Sequence, residues 1–368
     1  MKRKKKGKNG FRKDLPEKFI ERASLIFGVS RFREIEKTFV GRPTTFRINS
    51  LKSNSAEVLP ILSQNGFKVQ KISWYPGAFV LLNKSKRELT DLSLYSEGKL
   101  YIQSLASMVP PVVLDPKPGE RVLDLTAAPG SKTSQITAMM EKKGELVAND
   151  KNKVRFFKLK HNMELLGVTQ AGELESQPHS NPDPTPTPDP TRASPTLPLQ
   201  GREYSLPPKE GWRFILRMEH GAQLSREYEN YFDKILLDAP CSAEARFDTT
   251  DPKSFGYWSE RKIKEMAYTQ RILLRAAWHM LKPGGVLVYS TCTFAPEENE
   301  VQLQKFIERI PDAELLPIAL PQLQVAPIAT SFKNIAISDS IRKNVFRILP
   351  NSQIEGFFVA KITKKVIE

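Results

Sequence analysis

The chain has 368 residues, 40% of them hydrophobic, a formal net charge of +15 and two cysteines. That length suggests two domains, since single cores stop growing near about 250–300 residues. No apolar stretch approaches the roughly 18 residues a membrane span needs, and two cysteines make no disulfide scaffold.

The excess of positive charge calls for a polyanionic partner, with nucleic acid ahead of an anionic membrane surface because no lipid-anchor pattern accompanies it. A merely soluble basic surface is the blander alternative. No apolar segment follows the basic start, so no secretory signal is expected. A reduced, cytoplasmic monomer is the expectation, and no metal-ligand pattern is read.

Residues 1–13 hold Lys2, Arg3, Lys4, Lys5, Lys6, Lys8, Arg12 and Lys13. A like-charge block of this kind reads as a disordered tail, either a nucleic-acid arm or a solvated end. Residues 14–97 read as a small α+β unit. Helices are expected over 19–27 and 56–65, and alternating strands over 44–49 and 67–72. Arg42, Phe46, Arg47, Lys68, Lys71, Trp74 and Tyr75 interleave charge with aromatic rings. Such a mixture suits phosphate contact and base stacking, although Phe46 reads as core.

From residue 98 strands and helices alternate. Strands are expected over 121–125, 145–150, 234–238 and 286–289, and helices over 131–140, 151–166 and 261–281. Ile263, Ala267, Leu274, Trp278 and Leu281 share one face of the last helix, which should stop at Lys282-Pro283-Gly284-Gly285. This order implies a doubly wound parallel α/β sheet covered on both faces. One segment, about 176–208, is dense in proline and threonine and reads as a disordered insertion. Residues 345–349 and 356–362 read as a hairpin that adds an antiparallel edge.

The chemistry gathers at strand ends. The loop Thr126, Ala127, Ala128, Pro129, Gly130, Ser131 and Lys132 follows one strand and opens a helix, so its backbone amides can face a ligand. It is neither a P-loop nor a G-x-G-x-x-G turn, which lowers ATP and NAD. Asp150 ends the next strand and suits ribose hydroxyls, or a helix N-cap, or both. Cys241 follows Asp238-Ala239-Pro240, and Cys292 follows Tyr289-Ser290-Thr291. Both thiols therefore sit where nucleophilic catalysis beside a bound cofactor would use them. A buried structural cysteine is the alternative for each.

These segments resemble the Sun/NOP-type RNA cytosine methyltransferase family, which uses S-adenosylmethionine. The resemblance runs from about residue 42 onward. Its most specific stretches are 124–133, 237–242 and 289–293, with Glu297-Glu298-Asn299-Glu300 behind the last. It implies a Rossmann-like methyltransferase sheet with a C-terminal antiparallel hairpin, and an N-terminal RNA-recognition unit at 14–97. It also implies Cys292 as the nucleophile at cytosine carbon 6 and Cys241 in release of the adduct. Asp238 would bond the cytosine edge and lie beside the cofactor, and Lys132 would orient Asp238. Residues 126–132, Asp150 and Asp238 would bind S-adenosylmethionine. Where the family places an adenine-side Asp, spacing gives His220, with Glu219 as the alternative. The partner is RNA, with a lean to ribosomal over transfer RNA. The competing readings are a non-catalytic RNA-binding assembly factor and a DNA cytosine methyltransferase.

Overall fold

A computed structural model describes residues 15–169, 175–177, 203–205 and 211–366. The basic tail and most of the proline-rich insertion lie outside the described residues. The N-terminal part holds a four-stranded antiparallel sheet: β1 (Thr45–Ile48), β2 (Val69–Lys71), β3 (Ala78–Leu81) and β4 (Leu100–Ile102), in the order β2-β3-β1-β4. Its fourth strand therefore comes from beyond residue 97. Phe46 and Phe79 stack at its centre, 5.6 Å apart, above Val58 and Leu62 of the helix Ser55–Gln64.

The larger sheet consists of β5 (Arg121–Asp124), β6 (Gly144–Asn149), β7 (Glu175–Gln177), β8 (Glu203–Ser205), β9 (Trp212–Arg217), β10 (Phe232–Asp238), β11 (Leu281–Thr291), β12 (Ala313–Leu316) and, after the small pair β13 (Ser331–Phe332) and β14 (Ile335–Ala336), β15 (Phe346–Ile348) and β16 (Phe357–Lys364). The order is β12-β16-β11-β10-β5-β6-β9-β8-β7, with β15 also beside β16. The five strands from β11 to β9 are parallel. Both their faces are covered, so they are continuously apolar rather than alternating. One face packs Val122, Leu146, Phe214 and Leu236 under the helices Leu105–Leu114, Ser131–Met139 and Lys153–Leu165. The other packs Leu123, Val147, Ile235 and Leu287 under the helices Glu260–Met280 and Glu300–Ile307.

The doubly wound sheet and the C-terminal hairpin stand as the sequence suggested, with differences in detail. β16 is interior, flanked by β11 on one side and by β12 and β15 in succession on the other. The hairpin therefore does not close the sheet. The two ends of the proline-rich stretch contribute β7 and β8, which extend the sheet antiparallel from β9. The long helix ends at Met280, and Lys282–Gly285 are not a loop. They open β11, whose pairing with β10 shifts between Phe232 and Lys234 to absorb them.

The interleaved basic and aromatic residues divide sharply. Arg47 is fully buried. Its Nε donates to Gln103 Oε1 at 2.9 Å, its Nη2 donates to Ser134 Oγ, and the guanidinium lies 5.4 Å over the Tyr101 ring. A buried cation needs such partners, so Arg47 ties the small sheet to the large domain and is not free to meet a phosphate. Arg42 donates to the carbonyls of Thr38 and Asn351. Trp74 and Tyr75 are half-buried against the main core, while Lys68 and Lys71 are exposed.

The helices Glu17–Phe27 and Val29–Glu36 do not pack on the small sheet. Phe19, Phe27 and Phe32 join Phe39 in a cluster with Ala245, Phe247 and Phe294 from the loops after β10 and β11. Phe19 lies 4.9 Å from Phe247, and Phe27 lies 5.2 Å from Phe294.

Candidate active site

The sheet order reverses between β5 and β10, and a crevice forms there, beyond the carboxyl ends of the parallel strands. Loops after β5, β6, β9, β10 and β11 all reach it. A cavity of about 490 Å³ is lined by Thr126, Pro129, Asp150, His220, Asp238, Cys241 and Cys292, among others. A second cavity of about 350 Å³ is lined by Tyr101, Gln103, Ser107, Lys132, Asp238, Cys292 and Phe357. Thr126, Asp238, Arg246 and Cys292 line both. The two chambers therefore meet at the thiol and the carboxylate.

The loop after β5 is held on both sides. Thr126 Oγ1 donates to the Asp238 carbonyl at 2.8 Å, and the Ala127 amide donates to the Asn149 carbonyl at 2.8 Å. Arg155 donates to the Ala128 carbonyl, and Asn162 Nδ2 to the Pro129 carbonyl at 2.7 Å. Thr126 and Pro129 face both chambers, whereas Ala127, Ala128, Ser131 and Lys132 face only the smaller one. Gly130 lines neither. Its φ is +103°, and an added Cβ would lie 2.5 Å from Met163 Cε and 2.9 Å from Leu159 Cδ1. Glycine is needed here so that the turn can press against the helix behind it.

Asp150 is buried, and its Oδ1 accepts from the Asn152 amide at 2.9 Å. Asp150 Oδ2 lies 3.3 Å from Arg155 Nη2 but accepts no hydrogen bond. A buried acceptor left open at a cavity wall fits a ligand hydroxyl. His220 is the N-cap of the short helix Gly221–Leu224, with Nδ1 accepting from the Ala222 amide at 3.3 Å. Burial, and then Lys151, push its pKa down, which favours a neutral ring. Glu219 also lines the larger cavity, and its Oε1 lies 2.6 Å from Arg217 Nη2. The larger cavity thus offers an imidazole and a carboxylate, suited to the base and sugar of a nucleoside.

Cys241 Sγ and Cys292 Sγ lie 3.3 Å apart and are free thiols. They differ electrostatically. The hydrogen bond from Cys241 holds the Cys292 pKa below its usual value, against the cost of burial, with Arg246 adding its positive charge. The same bond raises Cys241 well above its usual value, together with burial and the charges of Cys292 and Glu298. Of the two, Cys292 is therefore the thiol whose ionisation the site favours, and Cys241 the one it opposes. A thiolate is the nucleophilic form of cysteine.

Asp238 stands beside them. Its Oδ2 is 2.7 Å from Lys132 Nζ, and its Oδ1 accepts from Ser290 Oγ at 2.8 Å. Lys132 is nearly buried and also donates to Ser107 Oγ at 2.7 Å. Lysine and aspartate thus form a positioned pair at the chamber boundary.

Other members of the site were visible in the sequence only as text. Glu298 is fully buried. Its Oε2 accepts from the Ser242 amide at 3.1 Å and from Gln270 Nε2 at 2.8 Å, and its Oε1 lies 2.5 Å from Ser242 Oγ. Ser242 Oγ in turn meets Thr293 Oγ1 at 2.7 Å, which donates to Glu244 Oε2 at 3.0 Å. This chain clamps the loop bearing Cys241 to the loop bearing Cys292. Burial raises the Glu298 pKa to about 8, against its hydrogen bonds. Glu300 is used elsewhere, in a buried bidentate pair with Arg347. No helix among the described residues is long and apolar enough to cross a membrane.

Comparison with known proteins places this geometry among relatives. A family model described as 16S rRNA methyltransferase RsmB/F matches residues 111–182 and 214–363. The chain is 33% identical to a tRNA (cytosine(49)-C(5))-methyltransferase of Pyrococcus abyssi, over 96% of this chain and 97% of that protein. It is 32% identical to the ribosomal RNA small subunit methyltransferase F of Escherichia coli, over 87% of this chain but only 57% of that protein. A crystal structure of a methyltransferase homolog protein from Pyrococcus horikoshii superposes with a TM-score of 0.72 at 30% identity, covering 95% of each chain.

Proposed function

Because the chain belongs to the 16S rRNA methyltransferase RsmB/F family, we propose that it is an S-adenosylmethionine-dependent RNA cytosine C5-methyltransferase. Cys292 is its nucleophile. The observation that carries this reading is the pair of free thiols 3.3 Å apart, with Cys292 set where the two chambers join.

Carbon 5 of cytosine is a weak nucleophile. Addition of the Cys292 thiolate to carbon 6 turns the ring into an enamine whose carbon 5 can take a methyl group. Asp238 accepts from the amino group and bridges a proton to nitrogen 3, which takes up the electron pair displaced when carbon 6 is attacked; uracil has no amino donor there. Lys132 Nζ, 2.7 Å away, fixes that carboxylate. When bound, S-adenosylmethionine supplies the electrophilic methyl. Asp150 would hold its ribose hydroxyls, His220 would flank its adenine, and Thr126 and Pro129 of the loop would face the remainder. After transfer, the carbon 5 proton passes to water, and the electron pair it leaves behind re-forms the ring double bond and expels the Cys292 sulfur as thiolate. Cys241 assists that release. The smaller chamber takes the target base, which must leave its stack for a thiol to reach carbon 6.

We assign RNA recognition to residues 14–97, where Lys68 and Lys71 are exposed. The 16S rRNA description of the matching family model favours ribosomal RNA. The end-to-end correspondence with the archaeal enzyme favours transfer RNA. Incubation with methyl-labelled cofactor and each RNA in turn tests both. The expected result is label in 5-methylcytosine, lost in Cys292→Ala while cofactor binding persists. No incorporation into any RNA would favour a non-catalytic assembly factor instead.

A further inference from the structure

The helix Glu260–Met280 carries a second set of cations outside the two chambers. Lys264, Tyr268, Arg271 and Arg275 are spaced by four, three and four residues, so they form one stripe about 17 Å long. Tyr268 is 62% exposed. Arg271 and Arg275 line a shallow groove with Lys305 and Arg309 of the neighbouring helical segment. None of these five cations has an ion pair or a side-chain hydrogen bond among the described residues. Many of the other surface cations do, such as Arg261 with Glu265 and Lys282 with Asp233. The Nε–H of Arg271 is buried and has no acceptor.

Four like charges around one groove repel one another, and a buried donor without an acceptor costs free energy. An anion removes both costs. The stripe is long enough for two or three phosphates of a nucleic-acid backbone, and the exposed tyrosine beside them can stack on a base. The groove shares no lining residue with either chamber. We propose that it is a second RNA-binding site, holding the phosphodiester backbone of the substrate RNA at a distance from the target cytosine. This rests on the reading of the chain as an RNA methyltransferase.

The test is equilibrium binding of full-length structured RNA to the intact protein, across a salt series, with Arg275→Glu/Arg309→Glu. Both residues are exposed, and Arg275→Gln/Arg309→Gln serves as the milder variant. The expected result is a loss of affinity of about tenfold or more, with the salt slope reduced by roughly two. A short single-stranded oligonucleotide covering only the target cytosine should bind wild type and variant alike. Unchanged affinity and slope for full-length RNA would overturn the site. So would an equal loss for the short oligonucleotide, which would put the groove in the path of the target base. Failure of the methyltransferase reading shows separately, as absence of label transfer by the wild-type protein.

Discussion

Replacing Glu298 separates two roles of the buried carboxyl. Glu298→Ala removes the partner of the Ser242 amide, the Ser242 hydroxyl and Gln270 Nε2. Each buried group left unsatisfied costs about 1–3 kcal/mol, so the loss should be roughly 3–9 kcal/mol, with the two thiol loops unclamped. Glu298→Gln should behave differently. With a pKa near 8, the native side chain is a neutral acid at pH 7. In that state Oε2 accepts the two N–H groups and Oε1–H donates to Ser242 Oγ. Glutamine reproduces that pattern with its carbonyl and amide. Below the unfolded carboxyl pKa the native acid is protonated in both states, and its contribution is fully present. As pH rises, the unfolded chain ionises first, and the contribution falls through the window up to about 8. The slope for one site is about 1.4 kcal/mol per pH unit. Stability of Glu298→Gln relative to wild type should therefore improve by about 3 kcal/mol between pH 5.5 and 7.5. Urea unfolding of both proteins across that range measures it, and other titrating groups cancel in the difference. A difference that stays flat with pH, or a glutamine variant as unstable as the alanine variant, would refute the assignment of a buried neutral acid.

Asp150→Asn should weaken S-adenosylmethionine binding by roughly ten- to a hundredfold in calorimetric titration, because the open acceptor at Oδ2 loses its charge. Gly130→Ala should cost roughly 2–4 kcal/mol in urea unfolding, from a positive φ and an overpacked contact with Met163 and Leu159. Arg246→Gln should move the pH of half-maximal Cys292 alkylation by iodoacetamide upward, since Arg246 helps to hold that pKa down. Peptide mapping of the modified cysteine reads this out. Cys241→Ala should accumulate a protein–RNA adduct that survives denaturing electrophoresis, and absence of any shifted band would remove Cys241 from the release step.

The loop 126–132, Asp238 and both thiols were legible because each sits at the end of an apolar strand, a position that chain periodicity alone can locate. Asp150 was placed by the same logic and His220 only by the family resemblance, and both line the larger chamber. Arg47 was misjudged because charge reads as exposure until partners are known. Its partners, Gln103 and Ser134, lie far along the chain. Lys282–Gly285 carry residues that usually end a helix with a loop, yet a register shift lets them enter β11. Strand β9 was missed because it follows the proline-rich stretch, and β3 because Ala78–Leu81 is continuously apolar and shows no alternation. Glu298 appeared only as one letter in an acidic run. Its meaning comes from Ser242, which approaches it only in the folded chain.

The aromatic cluster formed by Phe19, Phe27 and Phe39 with Phe247 and Phe294 decides how this protein can be cut. The first two helices roof the loops that carry the thiols, and Arg22 reaches across to Glu260 and Glu297. Trimming the chain back to the start of the parallel sheet would strip that roof from Phe247 and Phe294, exposing rings that now pack edge to face. The amino-terminal segment and the catalytic half therefore have to be expressed as one piece.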